Sequence, residues 1–218
     1  MKSKNSSVAL EAPIKSKAKT NKVVDFIAFF LVSISGVVII ATATQTFQSP
    51  WAIALAILII IPTIIAMATG APFVPTPMDR VKKMIALAKI KPGEKVYDIG
   101  CGDGRMVYVA ANDYKANATG FELSPLVFCL ARIRKFFWGS KAKIQFTDFR
   151  YKNLSDADVI VCYLLPESLA RLQPKLDAEL KKGARVISYA FPIGDWKVTH
   201  REERDRDHNL APIWVYHR

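Results

Sequence analysis

Charge is missing from one long part of this chain: from Phe26 to Met78 there is no Asp, Glu, Lys, Arg or His. Buried helices of soluble domains seldom run so far without an ionisable residue, which argues against an ordinary soluble fold for this part. Cysteine and histidine are scarce, with 3 of each in 218 residues. Cys101, Cys129 and Cys162 form no C-x-x-C pair, so neither a disulfide framework nor a zinc site follows, and reduced cytosolic thiols are expected. His200, His208 and His217 have acids nearby but repeat no ligand spacing; they read as solvent-facing loop residues, and no metal is expected. Acids are outnumbered, 19 Asp and Glu against 31 Lys and Arg. The formal net charge of +12 admits nucleic acid, an anionic membrane surface or an acidic protein as partner.

The length leaves room for one ordinary domain and an appendage. Residues 1–22 carry six Lys and one Glu without apolar periodicity and read as a disordered basic tail. Within 23–70, the stretches Phe26 to Thr44 and Trp51 to Thr69 are apolar and about membrane-spanning in length. Gln45-Thr46-Phe47-Gln48-Ser49-Pro50 joins them, uncharged and turn-prone. A membrane hairpin follows, with the lipid bilayer as a partner. Lys before the first run and Arg80, Lys82 and Lys83 after the second place both ends in the cytoplasm. Ala41-Thr42-Ala43 also admits a cleaved signal peptide, and even then the second run would leave the following domain in the cytoplasm.

Residues 71–218 form the expected folded domain. Pro72 to Pro77 is a stiff extended link, and an amphipathic helix is expected from Met78 to Ile90. The apolar run Val96, Tyr97, Ile99 then breaks into Gly100-Cys101-Gly102-Asp103-Gly104, with a helical pattern behind it. Strand, tight turn and helix let a backbone approach a nucleotide closely, with free N–H groups at the helix start. Asp98 lies at the strand's end, and Glu122 closes the next apolar run, where an acid can accept both ribose hydroxyls of an adenosine. This constellation resembles the S-adenosylmethionine site of seven-strand methyltransferases more than a dinucleotide site.

The pattern then alternates. Strands are expected near 95–99, 118–122, 143–147, 157–163 and 184–190, and helices near 104–112, 125–138 and 167–181. Ser124 is placed to cap the second of these helices, with Pro125 at its first position, and Gly183 to end the last. Strands near 196–202 and 212–217 without a full helix between them fit the closing antiparallel hairpin of a methyltransferase sheet. The fold class expected is therefore α/β, a Rossmann-like seven-strand methyltransferase sheet behind a two-helix transmembrane hairpin.

Three stretches carry a closer resemblance: Pro72 to Pro77, Gly102-Asp103-Gly104-Arg105, and Tyr163-Leu164-Leu165-Pro166 with Pro174 to Leu176 and Gly183 to Phe191. Together they are similar to the small lysine methyltransferases of archaea and bacteria, and to mitochondrial relatives that methylate the c subunit of ATP synthase and carry a membrane segment. The likeness covers about Pro72 to Arg218. It implies S-adenosylmethionine as cofactor, held by Asp98, Gly100, Cys101, Gly102, Gly104 and Glu122. Asp148 and Phe149 would meet the adenine, and Pro75 and Thr76 would close over from the other side. Tyr163 is the expected catalytic residue, and Leu164, Leu165, Pro166 and Phe191 join it on the substrate side. The partner implied is a lysine of a protein, with a membrane protein favoured by the tether.

A lysine acceptor must lose a proton, and moving its pKa from about 10.4 to 7 corresponds to roughly 4.6 kcal/mol. Desolvation and a neighbouring positive charge both push that way, so no strong general base is needed. A small molecule or lipid head group remains an alternative acceptor. Arg132, Arg134 and Lys135 with Phe136, Phe137 and Trp138 could stack on nucleic acid; a basic helix end with aromatics in the core or at a membrane interface is the preferred reading. Amino-methylating DNA enzymes usually carry Asn/Asp-Pro-Pro-aromatic after the fourth strand, where this chain has Tyr163-Leu-Leu-Pro166.

Overall fold

The computed structural model describes residues 73–208 and 210–218, together with Ala54, Ile57, Leu58 and Ile61, which are helical. The basic tail and nearly all of the expected hairpin lie outside the described residues. Among the described residues no helix is long and apolar enough to cross a membrane.

Helix α1 (Met78–Leu87) comes first and buries Val81, Met84 and Ile85, one stripe at helical spacing. It stops short of the expected Ile90 because Lys89 turns left-handed at φ +48°. Strands β1 (Lys95–Ile99), β2 (Asn117–Glu122), β3 (Lys143–Phe146), β4 (Val159–Cys162) and β5 (Arg185–Tyr189) are parallel. Helices α2 (Arg105–Asp113), α3 (Pro125–Trp138) and α4 (Pro166–Glu179) alternate with them. β6 (His200–Glu202) and β7 (Ile213–His217) complete a seven-stranded sheet in the order β3-β2-β1-β4-β5-β7-β6, with β7 antiparallel to both neighbours. β3 and β4 are joined without an α-helix, through a 3-10 turn at Phe149–Tyr151.

Two apolar layers hold this sheet. One gathers Val81, Met84 and Ile85 of α1 with Val107 and Ala110 of α2. The other gathers Leu169, Leu172 and Leu176 of α4 with Ile160, Val186 and Tyr216. Burial on both faces explains why β4 reads as an unbroken apolar run.

Two helix ends are built differently from the sequence expectation. Ser124 does precede Pro125, yet its hydroxyl is buried without a hydrogen-bond partner. Glu122 Oε1 organises this turn instead, accepting the Ser124 N–H at 2.8 Å. Gly183 does not end α4; the helix stops at Glu179, and Gly183 (φ +86°) serves the Lys181–Ala184 turn into β5.

Candidate active site

Register brings the site together. Ile99 pairs with Phe121 on one side and with Cys162 on the other, and Cys162 pairs with Ser188. The residues following these strands therefore meet at the sheet's carboxyl end: Gly100 to Gly104 after β1, Leu123 and Ser124 after β2, Tyr163 and Leu164 after β4. Ligands of open α/β sheets bind at this end.

The glycine turn closes through the N–H groups of Gly100 and Cys101, which donate to the Phe121 carbonyl at 3.0 and 2.9 Å. Gly102 sits at φ +57°, and a Cβ there would lie 2.8 Å from the Phe73 ring. This is the close approach that only glycine allows. Glu122 Oε2 accepts the Gly102 N–H at 3.0 Å, while Oε1 accepts those of Leu123 and Ser124. Burial raises the Glu122 pKa, and the three backbone donors pull against that rise. The expected ribose acid is thus also the clamp between β2 and the turn.

Asp98 is buried, and its Oδ2 has no hydrogen-bond partner. Burial first, then the Glu122 and Asp103 carboxylates, push its pKa well above the ordinary carboxylate range. An orphaned buried acid beside a glycine turn suits a cationic ligand, and S-adenosylmethionine carries a sulfonium and an ammonium. The residues fit that cofactor. The penalty on Asp98 has a definite sign: at low pH both folded and unfolded states hold the proton. As pH rises through the normal carboxylate range only the unfolded chain releases it, so stability falls until the folded-state pKa is passed. Asp98→Asn should remove this fall, because the amide carries no charge to desolvate, so the variant's stability should no longer decline with pH through the carboxylate range. The same variant should bind S-adenosylmethionine more weakly. Denaturation at several pH values, paired with calorimetric titration of the cofactor, checks both.

A buried ion cluster that the motif does not announce locks the turn from behind. Asp103 receives Arg105 Nε at 2.9 Å through Oδ1 and at 3.1 Å through Oδ2, and Arg134 Nη1 also donates to Oδ2. Arg105 Nη1 donates to the carbonyl of buried Thr76, tying the 73–77 strap to the start of α2. Pro75 is half-buried in that strap. A signal existed: Val127, Ala131 and Arg134 share the inner stripe of α3, and a lone base on a buried stripe demands an acid.

The remaining expected residues are placed as follows. Asp148 accepts from Arg150 at its backbone N–H (2.9 Å) and Nε (2.8 Å). Burial would raise its pKa, but these bonds outweigh it and the net shift is downward. Phe149 packs, partly buried, against the α4-side core. Cys101 is buried, and burial together with the neighbouring acids keeps its thiol protonated. Tyr163 is half-buried, with its ring edge-on to Tyr189 at 4.9 Å and 74°. Leu164 Cδ2 would be 3.3 Å from a Cβ at Gly100, so the β4 exit lies directly against the glycine turn. Leu165 and Pro166 are exposed where α4 begins, and Phe191 is half-buried with its carbonyl accepting from Ser188 Oγ at 2.7 Å. Arg80 of α1, buried with Nε unpartnered, lowers the Tyr189 pKa, though burial raises it more.

Residues 98–200 match the ANTKMT methyltransferase domain. A protein-lysine N-methyltransferase of Saccharolobus islandicus is 37% identical over 145 residues, spanning 64% of this chain and 90% of its own length. The mouse adenine nucleotide translocase lysine N-methyltransferase is 35% identical over 149 residues, covering 66% of this chain but only 62% of the mouse protein. Among solved structures, an RNA methyltransferase of Salinibacter ruber bound to S-adenosyl-L-homocysteine superposes with a TM-score of 0.61 at 30% identity, covering 66% of this chain and 93% of that one. The match to the Saccharolobus enzyme extends over nearly all of that protein, and with the sheet order and the glycine turn it assigns the family: this chain belongs to the seven-strand, S-adenosylmethionine-dependent protein-lysine N-methyltransferases.

Proposed function

We propose that this protein methylates a lysine side chain of a protein held at the cytoplasmic face of a membrane, in which residues 23–70 anchor it. The observation that carries the reading is an aromatic pair at the carboxyl end of the sheet. Tyr163 and Tyr189 form this pair at the exits of β4 and β5, and Tyr163 is next in sequence to Leu164, whose side chain lies against Gly100. S-adenosylmethionine would supply an electrophilic methyl on a sulfonium, and positioning then provides much of the acceleration. Burial and the neighbouring Tyr189 raise the Tyr163 pKa, so at neutral pH its phenol is uncharged and can align an amine without taking its proton. Desolvation against this pair favours the neutral form of an entering lysine, and the buried Arg80 guanidinium adds a positive charge on the same side.

Anchoring is supported by the two charge-free apolar runs. It is supported too by Ile57, Leu58 and Ile61, helical apolar residues of the second run that are 50%, 68% and 51% exposed, an arrangement natural against lipid. From Thr69 to Phe73, against the glycine turn, four residues reach at most about 14 Å. The site is thereby kept close to the bilayer, where an acceptor in a membrane protein meets it by lateral diffusion.

Tyr163→Ala should lower methyl transfer about 10- to 100-fold, the scale of a lost positioning contact, with S-adenosylmethionine affinity nearly unchanged. Tyr163→Phe should retain most of the activity if the ring does the aligning. In the wild type, kcat should rise with pH until the bound lysine's lowered pKa is reached, because only the free amine attacks. Full activity of Tyr163→Ala would remove Tyr163 from the site. Incubating membranes with enzyme and methyl-labelled cofactor tests the substrate class. Label recovered as methyl-lysine supports the reading, and label in lipid or RNA replaces it.

A further inference from the structure

Helix α3 is apolar on two opposite faces. Its inner face packs on the sheet through Val127 and Ala131, with Phe128 partly buried beside them. Its outer face carries Leu126, Cys129, Leu130, Ile133, Phe136 and Phe137, a continuous stripe at i, i+3, i+4, i+7, i+10 and i+11. Phe136 and Phe137 are 80% and 77% exposed and Ile133 55%. A helix with a second apolar face left exposed presents a surface for lipid or a partner, and a stripe this contiguous marks an interaction surface. From Leu123 to Thr147 there is no acid, Arg132 borders the stripe, and Lys135, Lys141 and Lys143 add positive charge to the same segment. The fifth base of the segment, Arg134, is turned inward to Asp103 and adds nothing to the outer charge.

We infer that the outer face of α3 lies in the headgroup region of an anionic bilayer, its aromatic and aliphatic side chains inserted and its basic residues on the phosphates. Charge complementarity and residue type select this occupant. Nucleic acid fits less well: the Phe136 and Phe137 rings stand at 79° to each other, offering no parallel stacking platform, and Ile133, Leu126 and Leu130 have no π-face to offer a base. The inference rests on the membrane-anchored reading and sharpens it. Crossover helices run roughly antiparallel to their strands, so α3 lying flat on the bilayer turns the carboxyl end of the sheet sideways along the surface. An acceptor lysine on a neighbouring membrane protein can then enter without leaving the interface.

The chain supplies its own probe. Cys129 is exposed on this face while Cys101 and Cys162 are buried, so a thiol-reactive fluorophore reports from α3 in the full-length protein. The labelled chain is reconstituted into vesicles of phosphatidylcholine, with and without phosphatidylglycerol, containing lipids nitroxide-labelled near the headgroup. The expected result is quenching that increases with the anionic lipid and is lost in Phe136→Glu/Phe137→Glu, a variant that keeps its S-adenosylmethionine affinity. Quenching that survives in the double variant overturns the inference. So does a blue shift without quenching that grows with protein density, which assigns the face to a second copy. Protection by added single-stranded RNA without quenching assigns it to nucleic acid and also overturns it. Retention after alkaline extraction reports the anchor separately. An unquenched label on a retained chain overturns the α3 inference alone, and an unquenched label on an extracted chain overturns both readings.

Discussion

Asp103→Ala should destabilise the fold by about 3–5 kcal/mol, because it leaves Arg105 and Arg134 as buried cations without their shared acid. Asp103 is 2% exposed, Arg105 3% and Arg134 8%, so water cannot replace the lost partner. The loss should spread along the connections of the cluster. Arg105 would no longer be oriented to hold the Thr76 carbonyl, and the 73–77 strap would lift from the glycine turn. Arg134, with its guanidinium 5.3 Å from the Trp138 ring centre, would shift against that ring. Denaturant unfolding followed by tryptophan fluorescence reads the stability, and titration with S-adenosylmethionine reads the site. Replacing the whole cluster with apolar residues (Asp103→Leu, Arg105→Met, Arg134→Met) separates the two. Removing all three charges should recover much of the stability, since a buried ion cluster is seldom better than good apolar packing. Cofactor affinity should stay low, since nothing then ties Thr76 down. Asp103→Ala within about 1 kcal/mol of wild type would show that the cluster does not hold the turn.

What is legible in the sequence divides along a physical line. The strand–helix alternation comes through because both layers of this sheet impose local periodicity, and Pro125 and Trp138 bound α3 in sequence and structure alike. Asp98, Gly100, Gly102, Gly104 and Glu122 are expected together in the sequence, and the pairing of β1 with β2 brings them to one end of the sheet, where Glu122 Oε2 accepts the Gly102 N–H. The Asp103–Arg105–Arg134 cluster does not, because its partners are 31 residues apart and charges are exposed by default. In sequence Arg134 reads as one basic patch with Arg132 and Lys135, whereas only the latter two lie toward solvent. The 3.6-residue period carries that distinction, since it sets Arg134 in line with Val127 and Ala131. The hydroxyl of Ser124 fits the expected cap of α3 and does not serve as one, because a carboxylate two residues earlier takes over the turn, a competition that local propensity does not encode.

Gly102→Val should reduce S-adenosylmethionine affinity by at least about 100-fold, equivalent to roughly 2.7 kcal/mol. Three costs act at one residue. A side chain at φ +57° sits in left-handed space, which costs an L-residue about 1–2 kcal/mol, and a β-branched one suffers most. Its Cβ would fall 2.8 Å from the Phe73 ring, so the strap must move. The Gly102 N–H would then leave Glu122 Oε2, loosening the acid expected at the ribose. Gly93→Val isolates the first cost: Gly93 is also left-handed, at φ +85°, but nothing lies within 4 Å of its missing Cβ. Both variants should unfold earlier than wild type from backbone strain, Gly102→Val by more because its side chain also meets the Phe73 ring. Only Gly102→Val should lose the cofactor, because only there does the added side chain separate strap, turn and Glu122. Equal cofactor affinities in the two variants would mean that the turn tolerates a side chain, and the cradle assigned to Gly102 would have to be placed elsewhere on the sheet's carboxyl end.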